Sequence, residues 1–281
     1  MPELPEVETV RRQLADKLEG SRIVAVELWR SGRETPLGDA FIKQLTGVRI
    51  VSIKRRAKLL IWELEDGRSL LVHLKMTGRF SYVSASYQAE KHDRVRFTYR
   101  EPGSLKKNAF LVWSDMRQFG YLKLVSADEA AKVISEYGIE PLEASLEELV
   151  QVLALRTTRA IKTVLLDQGV IAGIGNIYAD EACFRAKIHP TREAKTLRPK
   201  ERRALAVEIQ SVLNASLERK GTSAHSYVDT VGERGAFVEL LQVYGRKGEP
   251  CIRCKTPLQK ISFRGRGTHF CEKCQPLKRS N

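Results

Sequence analysis

No run of apolar residues in this 281-residue chain approaches the roughly 20 that a membrane-spanning helix requires, and the first residues lack the basic-then-apolar layout of a secretory signal. Both absences lead to the expectation of a soluble, intracellular, cytoplasmic protein. No segment repeats another, which argues against a stacked solenoid or a propeller. Acidic residues are in short supply. Thirty-four Asp and Glu face 48 Lys and Arg, a net charge of +14 with an isoelectric point near 9.7. That imbalance excludes the near-neutral surface of most small-molecule enzymes and points to a polyanionic partner. It is also uneven: residues 251–281 hold eight Lys and Arg against one Glu, half of the whole surplus.

Cysteine is scarce too, at five residues, yet four of them stand as Cys251-x2-Cys254 and Cys271-x2-Cys274 with sixteen residues between the pairs. This is the spacing of a four-thiolate zinc site. Two disulfides are the alternative, and a reducing compartment opposes them. Four thiolates complete a tetrahedron and leave no position for water, so the Zn2+ is expected to be single and structural. Between the pairs, Arg264 and Arg266 sit among glycines, which would let a basic tip approach a phosphate backbone closely. Cys183, alone in a helical pattern, reads as a buried apolar filler.

Hydrophobic periodicity divides the chain. Val7, Val10, Leu14 and Leu18 recur at helical spacing over residues 5–19, with Pro5 in the first turn, Glu6 and Glu8 near the positive end and Gly20 as terminator. Residues 22–125 then alternate short β-rich runs such as "LLIWEL" and "RVRFTY" with turns, and one helix is predicted around 38–45. After a linker marked by Gly138 and Pro141 the pattern becomes helical in "SLEELVQVLAL", "AIKTVLLDQ", "NIYADEACFRA" and "KERRALAVEIQSVLNASLERK". Residues 221–236 show no period and read as a mobile surface loop. The fold class is therefore α+β, an N-terminal β-sandwich flanked by helices followed by a helical domain and a zinc-finger β-hairpin.

Helix capping explains Pro5, Glu6 and Glu8 but requires neither Pro2 nor Glu3. If Met1 is removed, Pro2 exposes a secondary amine whose pKa lies about two units or more below that of lysine. A neutral amine attacks an electrophilic sugar carbon, and the iminium it forms favours elimination of the attached phosphate. Glu3, beside that nitrogen, is suited to proton transfer to the sugar oxygen or the departing base.

The quoted start of the chain, "MPELPEVETVRR", together with "RRAKLLIWEL", "HLKMTGRF", "KHD", "SDMRQFG", "GIGNIYADEACFRAKIHP" and the cysteine finger "GRGTHFCEKCQ", resembles bacterial formamidopyrimidine-DNA glycosylase over essentially the whole chain. The resemblance implies a monomeric 8-oxoguanine glycosylase and AP lyase acting on damaged double-stranded DNA in base excision repair. It implies a catalytic domain at 1–134, a helix-two-turn-helix domain at 135–236 with a lesion-capping loop at 221–236, and a zinc finger at 237–281. By motif position, Pro2 is the Schiff-base nucleophile, Glu3 the catalytic acid, Glu6 an orienting carboxylate and Lys58 a proton donor in elimination. Met76, Arg117 and Phe119 match the residues that fill the hole left by an extruded nucleotide. His73 and His92 match backbone-contacting positions, and Asn176 works with Arg266 on a phosphate, Arg266 also serving δ-elimination.

Some wording departs from the family: Lys75 in "HLKMTG", Met116 and Gln118 around Arg117, and Thr157 and Thr158 where lysines are frequent, which leaves Arg159 as the nearest candidate for that DNA contact. Two other readings stay open. Endonuclease VIII shares the same parts but prefers oxidised pyrimidines, and a non-catalytic lesion-binding protein would keep the basic surface and lose the chemistry.

Overall fold

The computed structural model describes residues 1–30, 37–103, 107–154, 157–224 and 226–277. The stripe formed by Val7, Val10, Leu14 and Leu18 is buried along α1 (Leu4–Leu18), which begins and ends within one residue of the predicted span. It packs against the first of two four-stranded antiparallel sheets. That sheet has the order β2-β3-β4-β8, where β2 is Ile50–Arg56, β3 Leu59–Leu64, β4 Ser69–His73 and β8 Tyr121–Val125. The other runs β1-β6-β7-β5, from β1 (Arg22–Leu28), β5 (Gly78–Val83), β6 (Asp93–Arg100) and β7 (Asn108–Asp115). Helix α2 (Asp39–Leu45) lies at the predicted place, and α3 (Ala127–Ser135) follows the last strand. The sandwich core is aromatic: Trp62 meets Phe80 and Phe97 at centroid distances of 5.5 and 5.7 Å, and Phe80 meets Trp113 at 5.0 Å.

The chain divides into two compact units, Met1–Ser135 with Lys220–Gly235, and Glu136–Arg219 with Ala236–Asn281. Residues 220–235 differ from the expected mobile loop. Thr222, Ser223, Asp229 and Thr230 are buried, and Gln13 of α1 accepts from the Thr230 N–H at 3.0 Å while donating to Asp229 at 2.7 Å. The anchors of this polar, aperiodic segment lie more than 200 residues away, which local pattern does not reveal. His225 lies outside the described residues.

In the second unit, α4 (Leu146–Val152), α5 (Ile161–Leu166), α6 (Asn176–Arg185) and α7 (Pro199–Glu218) are followed by the hairpin β9 (Gln259–Phe263) and β10 (Arg266–Phe270). Helix α6 is buried from Ile177 to Phe184, which is why its sequence shows little amphipathic contrast. Cys183 is fully buried, as expected of an apolar filler. No helix among the described residues is long and apolar enough to cross a membrane.

Candidate functional site

The start of α1 carries a buried acidic pair. Pro2, Glu3 and Glu6 are all buried, and Glu3 and Glu6 form a capping box in which Glu6 Oε2 accepts the Glu3 N–H at 2.7 Å. The other Glu6 oxygen accepts the Thr222 N–H at 2.7 Å, so one carboxylate ties the helix start to the 220–235 segment. Gly221 makes this possible. Its φ is +89°, and a β-carbon there would stand 2.8 Å from Glu6 Oε1. The helix's positive end favours the two carboxylates. The chain's α-amine, on Met1, is held below its ordinary value by desolvation; Glu3 and Glu6 oppose the shift, and the charges of Lys58 and Arg117 add to it. The environment therefore favours an unprotonated amine.

Lys58 reaches this cluster from a tight turn. Arg56 pairs with Leu59, leaving Ala57 and Lys58 as a two-residue connection between β2 and β3. Ala57 adopts φ +54°, a left-handed conformation that costs a non-glycine residue about 1–2 kcal/mol. The buried Arg55 side chain braces it, donating to the Ala57 carbonyl at 3.0 Å and to Glu8 of α1 at 3.0 Å. The structure thereby separates basic residues that the sequence leaves equivalent: Lys54 is exposed and paired with Glu63, Arg55 is a brace, and Lys58 is buried.

His73, at the end of β4, has its pKa pushed down to about 3 by burial, with the charges of Lys75 and Lys58 adding to the effect. Its Nδ1 accepts the Lys75 N–H at 3.0 Å. The ring is therefore neutral with its proton on Nε2, a fixed uncharged donor across the physiological pH range.

Met76 and Phe119 are large apolar side chains left 38% exposed, on the β4–β5 and β7–β8 connections. The Arg117 guanidinium lies over the Phe119 ring at 5.0 Å. Both connections are fastened by one buried residue that sequence reasoning missed. Asp115 accepts from the Thr77 hydroxyl, from the Arg117 N–H at 3.2 Å and from the Gly120 N–H at 2.7 Å. Its own carbonyl is held by the Arg94 guanidinium at 3.1 Å. The signal available was a carboxylate directly ahead of Met116, Arg117, Gln118 and Phe119 in "SDMRQFG". Asp115→Ala strips the Gly120 N–H and the Thr77 hydroxyl of their acceptor, while the Arg117 N–H keeps the Thr77 oxygen at 2.9 Å, and is expected to cost about 1–3 kcal/mol. Thermal denaturation checks this, and affinity for lesion-containing over undamaged duplex should fall with it. His92 is half-buried, and its carbonyl accepts the Asp115 N–H at 3.0 Å.

The second unit holds the remaining predicted residues. The four finger sulfurs lie within 4.8 Å of one another, with Cys254–Cys271 at 3.4 Å and Cys251–Cys274 at 3.9 Å. A tetrahedron with Zn–S bonds of about 2.3 Å needs sulfurs about 3.8 Å apart, so the donor set fits the metal. At the hairpin tip, Phe263 pairs with Arg266, and Arg264 and Gly265 turn the chain with φ values of +48° and +72°. Both arginines are exposed there. Asn176 opens α6 and donates to the Gly267 carbonyl at 2.9 Å, which places it beside the residue that follows Arg266. Arg159 is paired with Asp167 at 2.7 Å. Leu155 and Arg156, in the same basic segment, lie outside the described residues.

Residues 1–122 match the formamidopyrimidine-DNA glycosylase N-terminal domain, 137–228 the H2TH domain of that enzyme, and 248–277 the zinc finger found in FPG and IleRS. A formamidopyrimidine-DNA glycosylase of Pelotomaculum thermopropionicum is 42% identical over 99% of this chain and 100% of its own length. That of Geobacillus kaustophilus is 40% identical over 98% and 100%. The chain belongs to the formamidopyrimidine-DNA glycosylase family. A crystal structure of wild-type Lactococcus lactis Fpg with DNA containing N7-benzyl-Fapy-dG superposes with a TM-score of 0.87 at 36% identity, covering 98% of this chain and 100% of that one. A Lactococcus lactis Fpg complex with abasic-site DNA gives the same TM-score and identity, over 98% and 99%. With four sulfurs in place and a matching finger model, this formamidopyrimidine-DNA glycosylase family member carries one structural zinc.

Proposed function

We propose that this chain is a bifunctional DNA glycosylase and AP lyase of base excision repair, excising 8-oxoguanine and formamidopyrimidines from double-stranded DNA and cleaving the strand by β,δ-elimination. The observation that carries the reading is the N-terminal cluster: a buried Pro2 followed by the buried carboxylates of Glu3 and Glu6, with the buried Lys58 charge acting on the chain's first amine. Family membership and the DNA-bound Lactococcus lactis relatives support it.

Removal of Met1 frees the Pro2 nitrogen, which bonds to C1′ of the damaged nucleotide as the bond from C1′ to the base breaks. The proton lost by the Pro2 nitrogen on bonding leaves with the base. Glu3 supplies the proton that lets the ring oxygen depart from C1′, giving an opened sugar joined to Pro2 as an iminium. Loss of a proton from C2′ then expels the 3′-phosphate, with Lys58 protonating the departing group, and a second elimination releases the 5′-phosphate. Glu6 fixes the position of the chain start. Met76, Arg117 and Phe119 occupy the gap left by the extruded nucleotide, whose unstacking costs a few kcal/mol. His73, as a neutral N–H donor, and His92 bind backbone. Asn176 and Arg266 grip a phosphate, with Arg264 adding charge, on a hairpin whose shape the bound zinc fixes. The molecule acts as a monomer in the cytoplasm, on the nucleoid.

Borohydride trapping tests the reading. The chain incubated with abasic duplex and reductant should yield a covalent adduct, and peptide mapping should place it on Pro2. An adduct on an internal lysine would overturn the nucleophile assignment, and absence of any adduct would favour a lesion binder without chemistry. Excision of 8-oxoguanine opposite cytosine, compared with thymine glycol, separates the purine reading from an endonuclease VIII-like one.

A further inference from the structure

Lys162 and Asp180 form an ion pair at 2.6 Å with both side chains wholly out of solvent. Neither belongs to the metal site or to the N-terminal cluster. Such a pair is a poor source of stability, because desolvating two charges offsets most of their attraction, and apolar replacements of similar volume are often neutral or stabilising. Stability does not account for the pair, and its remaining partners supply another reason.

An ammonium has three donors. Beside the charge contact with Asp180, two of them go to the finger strand β10: the Thr268 hydroxyl at 2.9 Å and the Gly267 carbonyl at 3.0 Å. Because Lys162 donates to the Thr268 oxygen, the hydroxyl proton is free to point elsewhere, and it points to the Arg266 carbonyl at 3.3 Å. The second Asp180 oxygen accepts the His269 N–H at 2.9 Å and the His269 ring nitrogen at 3.0 Å. The Gly267 carbonyl also takes the Asn176 side chain at 2.9 Å, so its two lone pairs are filled from α5 and α6. Every residue from Arg266 to His269 is thus pinned through this buried charge.

Arg266 itself is exposed, and among the described residues its guanidinium has no protein acceptor. What the structure fixes is therefore the backbone from which that side chain extends. We infer that the Lys162–Asp180 pair, acting through the Thr268 hydroxyl, is a positioning device that sets Arg266 at a fixed place relative to Asn176 for gripping a phosphate. The inference rests on the proposed function above. It assigns a role to a buried lysine whose sequence context, "AIKTVLL", shows only a charge in an apolar helix.

The test uses the zinc-loaded full-length chain and a duplex containing a tetrahydrofuran abasic analogue for binding and a true abasic site for cleavage. Thr268→Val removes the hydroxyl and keeps the branched shape. It should retain one zinc per chain, weaken binding by about 10-fold, roughly the contribution of one hydrogen bond to affinity, and shift products from β,δ toward β alone. Thr268→Ser, which restores the hydroxyl, should recover both. A second variant covers the case in which Thr268→Val folds poorly. Lys162→Met alone strands a buried carboxylate and should lower the melting temperature, while Lys162→Met with Asp180→Asn should regain melting but not affinity or the product ratio. Wild-type affinity and product ratio in Thr268→Val, or their return along with melting in the double variant, would overturn the inference. Failure of the wild-type chain to bind the abasic duplex would instead overturn the proposed function.

Discussion

Replacing Glu3 with glutamine is expected to slow base excision by about 10²- to 10⁴-fold, the range a positioned acid–base group supplies, while binding to abasic duplex changes little. The substitution keeps size and shape in a site where the side chain is only 2% exposed. In the capping box Glu6 holds the Glu3 and Thr222 N–H groups and the Glu3 side chain accepts the backbone N–H of Glu6, an acceptor role that the glutamine oxygen retains. An amide neither delivers nor removes the proton needed to open the sugar ring. Because the Pro2 nitrogen is untouched, borohydride trapping on a preformed abasic site should persist at a reduced rate. Single-turnover kinetics on 8-oxoguanine opposite cytosine measure the loss. Normal excision by Glu3→Gln would place the proton transfer on another group.

Cys271→Ser should release the zinc and lower DNA affinity by at least about 100-fold. The apolar cluster around the finger is thin, consisting of Phe184, Val243, Cys251, Leu258 and Cys271, and two of its five buried members are themselves zinc ligands. It cannot hold the hairpin by hydrophobic burial, whereas zinc binding supplies about 10–16 kcal/mol of folding free energy in isolated fingers. With the metal goes the β9–β10 pairing that presents Arg264 and Arg266. Metal analysis and electrophoretic mobility shift on an abasic duplex report the two losses together. Circular dichroism should retain the β-sandwich signal, since the other unit has its own aromatic core. Undiminished affinity in a metal-free preparation would show that the finger is not needed for binding.

Much of this was legible in the sequence because it is written in local spacing. The stripe along α1, the alternation of the strands and the two cysteine pairs need only neighbours within a few turns, and each appears where its period places it. What was hidden depends on partners distant in the chain. Asp115 reads as one acidic residue in a loop until Thr77 is brought against it. Lys162 reads as a charge in an apolar helix until β10 arrives, 105 residues later. The 220–235 segment reads as loose because its anchors, Glu6 and Gln13, lie at the other end of the chain.

That last attachment has a consequence in time. Glu6 and Thr222 are 216 residues apart, and a ribosome adding about 5–20 residues per second needs roughly 10 to 40 s to make the second after the first. Throughout that interval the beginning of the nascent polypeptide lacks the backbone donor that completes its acidic pocket. On the proposed reading, Met1 can be trimmed in that interval, before the Thr222 N–H reaches Glu6. A late-translated strap thus leaves room for maturation of the proposed nucleophile.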